Sequence, residues 1–185
     1  MRMIKVAVVG AALALSGCFD MEMETTVLGP DQVRMSGFMQ VQRGMLEMMG
    51  GADEFCGEDD GTLELTDEFA RCLFVEEGTI AEVFEGDEDA PTFVDLGDGT
   101  VHVTFPLGDI TGEMDEMVED PAAAAMFRPM MEGHGMTFII SGAEIISTNG
   151  TISEDGTSAS ISFGLIELME DADNIPEVFE AVVRY

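Results

Sequence analysis

The chain has 185 residues, 46% of them hydrophobic and 24% charged, which fits a single globular domain and argues against disorder. Its 38 Asp and Glu stand against only 7 Lys and Arg, so the clustered basic residues that neutralise nucleic-acid phosphates are missing. The same balance argues against electrostatic adhesion to anionic lipid. The acidity itself has two readings: capture of cations or of a basic partner, or a solvated, self-repelling surface. The second is the better supported, because net charge speaks to solubility before function.

Residues 1–5 form a short basic start with Arg2 and Lys5, and residues 6–15 (VAVVGAALAL) form an apolar run of ten. That run is too short to span a bilayer as a helix and has the length of a signal-peptide h-region. Leu15-Ser16-Gly17-Cys18 follows and resembles the lipobox of bacterial lipoprotein precursors. The resemblance implies that residues 1–17 are a cleaved signal peptide and that Cys18 carries the acyl chains, such as palmitate, as the new N-terminus. Acyl chains contribute about 0.8 kcal/mol per buried CH₂, so two or three make anchoring effectively permanent. Residues 18–185 are then a single β-rich envelope domain facing the periplasm. Losing Arg2 and Lys5 lowers its formal charge from −31 to −33 and leaves it without lysine. Phe19, rather than Asp, beside the cysteine leans by the family's sorting rule to the outer membrane, with the outer leaflet of the inner membrane as the alternative.

With Cys18 lipidated, Cys56 and Cys72 remain. An even pair in an oxidising periplasm reads as a disulfide, closing a loop worth about 3 kcal/mol in the chain-entropy model. A redox pair or metal ligands are the alternatives, but no C-x-x-C spacing is present.

Alternation starts at the anchor. Phe19, Met21, Met23 and Val27 fall on one face and Asp20, Glu22, Glu24 and Thr26 on the other, which predicts a half-buried strand. Gly29-Pro30-Asp31-Gln32 is a turn, and Val33, Met35, Gly37, Met39 and Val41 alternate again, which predicts a hairpin. Almost no linker separates lipid from fold, so the domain is expected to sit close against the membrane. Met45-Leu46, Met48-Met49 and Phe55 fit a short helix. Residues 51–90 hold fifteen acids and read as an acidic, disulfide-pinned excursion with a helix over 66–74 and a strand over 79–84. Residues 92–96 and 100–105 flank Gly97-Asp98-Gly99 as a hairpin. Residues 109–131 read as helical, with Pro121 opening a second helix and Gly133 and Gly135 closing it. Strands follow at 136–141 and 143–148, Asn149-Gly150 and Asp155-Gly156 supply turn chemistry, and 158–163 alternates as a strand. Residues 165–170 suit one or two helical turns, and a last strand covers 178–185. The expected fold is α+β: one domain, a predominantly antiparallel β-sheet with a few short flanking helices.

The hairpin after the cysteine, with a second strand opening Val33-Arg34-Met35-Ser36-Gly37, resembles bacterial lipoproteins of the LppM type. So does the later stretch Gly142-Ala143-Glu144-Ile145-Ile146-Ser147-Thr148-Asn149-Gly150 with Asp155-Gly156-Thr157. The resemblance implies a β-rich envelope domain, for which binding of hydrophobic or lipidic molecules has been proposed. Many members carry a tryptophan after the late turn and a terminal membrane helix. This chain has no tryptophan, places Phe163 in that region, and reaches Tyr185 without a span.

Methionine is abundant: sixteen in all, fourteen without Met1 and Met3. Three readings compete. Met replaces Leu in an ordinary core; flexible thioethers line a cavity for apolar ligands; or Met130, Met131, His134 and Met136 hold Cu(I), for which thioether and imidazole ligands suit. Strand alternation of most of the clusters favours the first. Glu58-Asp59-Asp60, Asp87-Glu88-Asp89 and the Asp171/Asp173/Asn174/Glu177 set invite a calcium reading, but none fits an EF-hand loop. His102 and His134 sit in no Ser–His–acid or H-E-x-x-H context. Asn149-Gly150-Thr151 matches a glycosylation sequon that a hairpin turn explains better.

The sequence therefore points to a non-catalytic binding module at a membrane surface, with no cofactor and no nucleic-acid partner. Its ligand would be lipidic or otherwise apolar, with Met35, Met39, Phe105, Phe138 and Ile140 as candidate contacts because alternation puts them on apolar faces. The alternatives are a structural or assembly lipoprotein docking to an envelope protein complex through its acidic surface, and a copper or divalent-metal handler.

Overall fold

Alternation of side chains organises the chain from Phe19 onward. In the computed structural model, which describes residues 19–47, 50–57, 61–86, 89–108, 128, 131–170 and 174–185, strand β1 (Phe19–Gly29) buries Phe19, Met21, Thr25 and Val27 and leaves Glu22 and Leu28 exposed. It turns at Pro30-Asp31 into β2 (Gln32–Gln42), and the two pair antiparallel from Phe19↔Val41 to Val27↔Val33. The hairpin predicted for residues 19–41 is thus formed. Two short helices follow, α1 (Arg43–Leu46) and α2 (Ala52–Phe55). The next strands are β3 (Thr62–Leu65) and β4 (Phe69–Thr79), which lead into α3 (Ile80–Val83).

Here the structure overturns two expectations. Residues 66–74 were expected as a helix, but they enter β4, which pairs with β2 along its whole length from Gln42↔Phe69 to Gln32↔Thr79. Ala70 and Cys72 alternate into the core, and eleven cross-strand partners outweigh a weak local helix preference. Residues 79–84 were expected as a strand, yet Thr79 caps α3. Its hydroxyl accepts from the Glu82 amide while the Glu82 carboxylate accepts from the Thr79 amide. That T-x-x-E capping box stands in the sequence and carries its own helix-start signal.

The hairpin at Gly97-Asp98-Gly99 joins β5 (Thr92–Gly97) to β6 (Thr100–Pro106), with all three turn residues at positive φ. After it come β7 (Gly135–Ser141), β8 (Glu144–Thr148), β9 (Thr151–Ile152), β10 (Ser158–Gly164), α4 (Leu165–Glu170) and β11 (Val178–Arg184). The signal segment 1–17 with Cys18, Met48-Met49, Glu58-Asp59-Asp60, Asp87-Glu88, the expected helix at 109–127 with Pro121, Met130, and Asp171 and Asp173 lie outside the described residues.

The strands build two sheets, one of seven in the order β3-β4-β2-β1-β7-β10-β9 and one of four in the order β5-β6-β11-β8. Pairing is antiparallel throughout the described residues except between β1 and β7, which run parallel from Met21↔Met136 to Thr26↔Ser141. The strand nearest the expected anchor is therefore central in the larger sheet. The chain crosses from one sheet to the other at Gly142, where a Cβ would lie 2.4 Å from Val183 Cγ1 and 2.8 Å from the Arg184 carbonyl. Only glycine fits so close an approach.

The core lies between the sheets. Met136, Phe138, Ile140, Ala159 and Phe163 from the larger meet Val101, Val103, Phe105, Phe179, Ala181 and Val183 from the smaller. Phe105 links the layers, its ring centroid 6.2 Å from Phe138 and 6.5 Å from Phe179. A smaller cluster of Val33, Met35 and Val83 sits under α3. Among the described residues both sheets and the core are built from Phe19 onward.

Candidate functional site

Side chains that alternate away from the core populate the outer face of the larger sheet, and there the structure opens a cleft of about 570 Å³. Its floor is laid by strand register. Gln40 of β2 stands between Arg71 of β4 and Asp20 of β1. One row along, Phe38 stands beside Glu22, which neighbours Thr137 of β7, itself paired with Ser162 of β10. Met131, His134 and Ile166 rise from the segments flanking β7 and β10 to complete the wall.

The first row is a continuous polar relay. Arg71 Nε donates to Gln40 Oε1 at 3.0 Å, and Gln40 Nε2 donates to Asp20 Oδ2 at 3.4 Å. Asp20 Oδ2 is 3.0 Å from His134 Nδ1, and its Oδ1 accepts from the Gly135 amide at 3.1 Å. A carboxylate oxygen accepts, so in this contact Nδ1 is the ring nitrogen that donates. The Arg71 guanidinium lies 4.4 Å from the Phe38 ring centroid and 5.4 Å from that of Phe69, a stacked arrangement that holds the cation on the sheet. On the second row Thr137 and Ser162 share a hydroxyl–hydroxyl hydrogen bond of 2.9 Å. The cleft thus carries aromatic and thioether walls, a fixed cation, two carboxylates and paired hydroxyls.

The five residues expected to contact an apolar ligand lie elsewhere. Phe105, Phe138 and Ile140 are in the main core, Met35 is in the small cluster, and Met39 packs half-buried against the main core. None of them lines the outer cleft. Of the copper candidates, Met131, His134 and Met136 all border the cleft, though both methionines are buried, and Met130 is outside the described residues. Among the described residues no group of three His, Cys, Asp or Glu is placed to hold a metal ion. His102 belongs to the other sheet, its Nε2 3.1 Å from Glu180. Cys56 and Cys72 form the expected disulfide. The sequence reading missed Asp20, Phe38, Gln40 and Arg71. The signal for the first lay in the polar phase of the first strand, but nothing local joins it to Arg71.

No family model and no curated protein matches this chain. Among solved structures it is similar to the folded domain of the LppM protein of Mycobacterium tuberculosis, determined by NMR, with a TM-score of 0.51 at 11% sequence identity over 92% of each chain. The likeness at that identity is one of fold, and it is the fold to which the hairpin at Phe19–Val41 and the Gly142–Gly150 pattern pointed.

Proposed function

We propose that the chain is a non-catalytic binding module of the cell envelope, tethered through acyl chains on Cys18, that holds a lipidic ligand in the outer cleft of its larger sheet. The observation that carries this reading is position: Asp20, at the centre of the cleft's polar relay, is two residues from the lipidated cysteine. On this reading the cleft lies at the end of β1 from which the tether leaves. The lining supports the same reading, because a few oriented polar groups beside aromatic and thioether surface are what an amphiphile needs. The fold shared with the LppM domain is consistent with it. The interior contacts Phe105, Phe138 and Ile140 instead serve as the mutual packing of the two sheets.

Native mass spectrometry on residues 19–185, produced in an oxidising periplasm, tests the proposal, with solvent extraction of whatever is bound. The expected result is a lipid adduct near one per chain. A bare mass, two hydrogens light for the disulfide and unchanged by added lipid, would overturn it.

A further inference from the structure

The arginines of this acidic chain are treated unequally. Arg34 Nε donates to Glu77 at 2.8 Å, Arg184 Nε donates to Glu144 at 3.0 Å, and Arg128 pairs with Glu170. Arg43, exposed at the start of α1, and Arg71, in the cleft, have no carboxylate partner among the described residues, and of these two only Arg71 is held by other side chains. Its Nε is spent on the neutral amide of Gln40, and two phenylalanine rings hold its plane. In a chain of net charge −31 carboxylates are in large excess, so an arginine kept from them is a cation held in reserve. The Nη edge that Gln40 leaves unused is the edge with which a guanidinium takes a phosphate in bidentate fashion.

Glu22 supplies the opposite charge. It lies in the same cleft, is exposed, and its carboxylate has no hydrogen-bond partner among the described residues. It is the register partner of Phe38, whose ring the Arg71 guanidinium covers. Arg71 and Glu22 stand on the strands to either side of β2, two strand spacings or roughly 10 Å apart at the backbone, and the guanidinium leans in over Phe38, the residue between them. We propose that the cleft takes the zwitterionic head of a phosphate–ammonium lipid, phosphate on Arg71 and ammonium on Glu22, with the acyl chain against Met131 and Ile166. This rests on the reading of the cleft as a lipid site. A purely anionic head is disfavoured because the field of the whole molecule repels it, whereas a zwitterion carries no net charge.

The test titrates residues 19–185 with three amphiphiles below their micellar concentrations: dihexanoyl phosphatidylethanolamine, dihexanoyl phosphatidylglycerol and uncharged octyl glucoside. Inorganic phosphate is the fourth probe. The zwitterion should bind about tenfold more tightly than the other amphiphiles, a preference that R71Q and E22Q should each remove and R71K should partly keep. E22Q lies on an exposed strand face, so its result stands even if R71Q fails to fold. Equal binding of all three amphiphiles, indifferent to E22Q and R71K, would overturn the headgroup assignment and leave the lipid-binding reading intact. Tighter binding of the glycerol lipid, or of phosphate alone, would replace the zwitterion site by an anion site. No binding by any probe would overturn both.

Discussion

Glu76 shows how one side chain registers its surroundings. It lies opposite Met35 in the β2–β4 ladder, on the apolar side of the sheet, and burial pushes its carboxyl above the usual value of 4.5. An acid whose folded pKa exceeds its unfolded one resists ionising in the fold, so it costs stability as pH rises from about 4.5 through the folded value. Below that window both states are protonated and the cost vanishes. E76Q should therefore melt at a higher temperature than the parent at pH 7, with the gain shrinking below pH 4.5; equal gains at both pH values would show that desolvation is not its cause. The methionines give the complementary lesson. Met21, Met35, Met45, Met131 and Met136 are all buried, so at these positions the residue fills core space as leucine would. Of these five, Met21, Met131 and Met136 also border the outer cleft.

Among elements, the acidic stretch between β2 and β5 shows its structure least in its sequence. Its charges mask a strand, because β4 alternates Ala70 and Cys72 inward against Arg71 and Leu73 outward over only half its length before Glu76 and Glu77 intervene. The disulfide then fastens the stretch, tying Cys56 at the end of α2 to Cys72 within β4, sixteen positions on. Closing such a loop contributes about 3 kcal/mol by restricting the unfolded chain. The C56S/C72S double variant should lose about that much in denaturant unfolding. Loss of hydrogen-exchange protection should concentrate in β3, a four-residue edge strand held by β4 alone, while β1 and β2 keep theirs. A uniform loss across all strands would show that the bond supports the whole fold rather than its edge.

At the scale of the molecule, charge and topology act together. With 38 acids against 7 bases, self-repulsion opposes the compact state, and salt screens it over a Debye length of about 10 Å at 0.1 M and about 3 Å at 1 M. The melting temperature should rise steadily with sodium chloride across that range, and a flat response would mean that local contacts already offset the repulsion. By itself the sequence determined what depends on neighbours within a few positions: the alternating strands around Pro30 and Asp98, the late strands, the pairing of two spare cysteines, and a predominantly antiparallel α+β class. Only the tertiary structure decided which strands lie side by side. The parallel seating of β1 against β7, the passage from sheet to sheet at Gly142, and the meeting of Arg71, Gln40, Asp20 and His134 join positions up to 115 apart. A strand's own period states which side chains share a face. Who stands next to them is set by long-range pairing, whose free energy resides in the partner as much as in the strand.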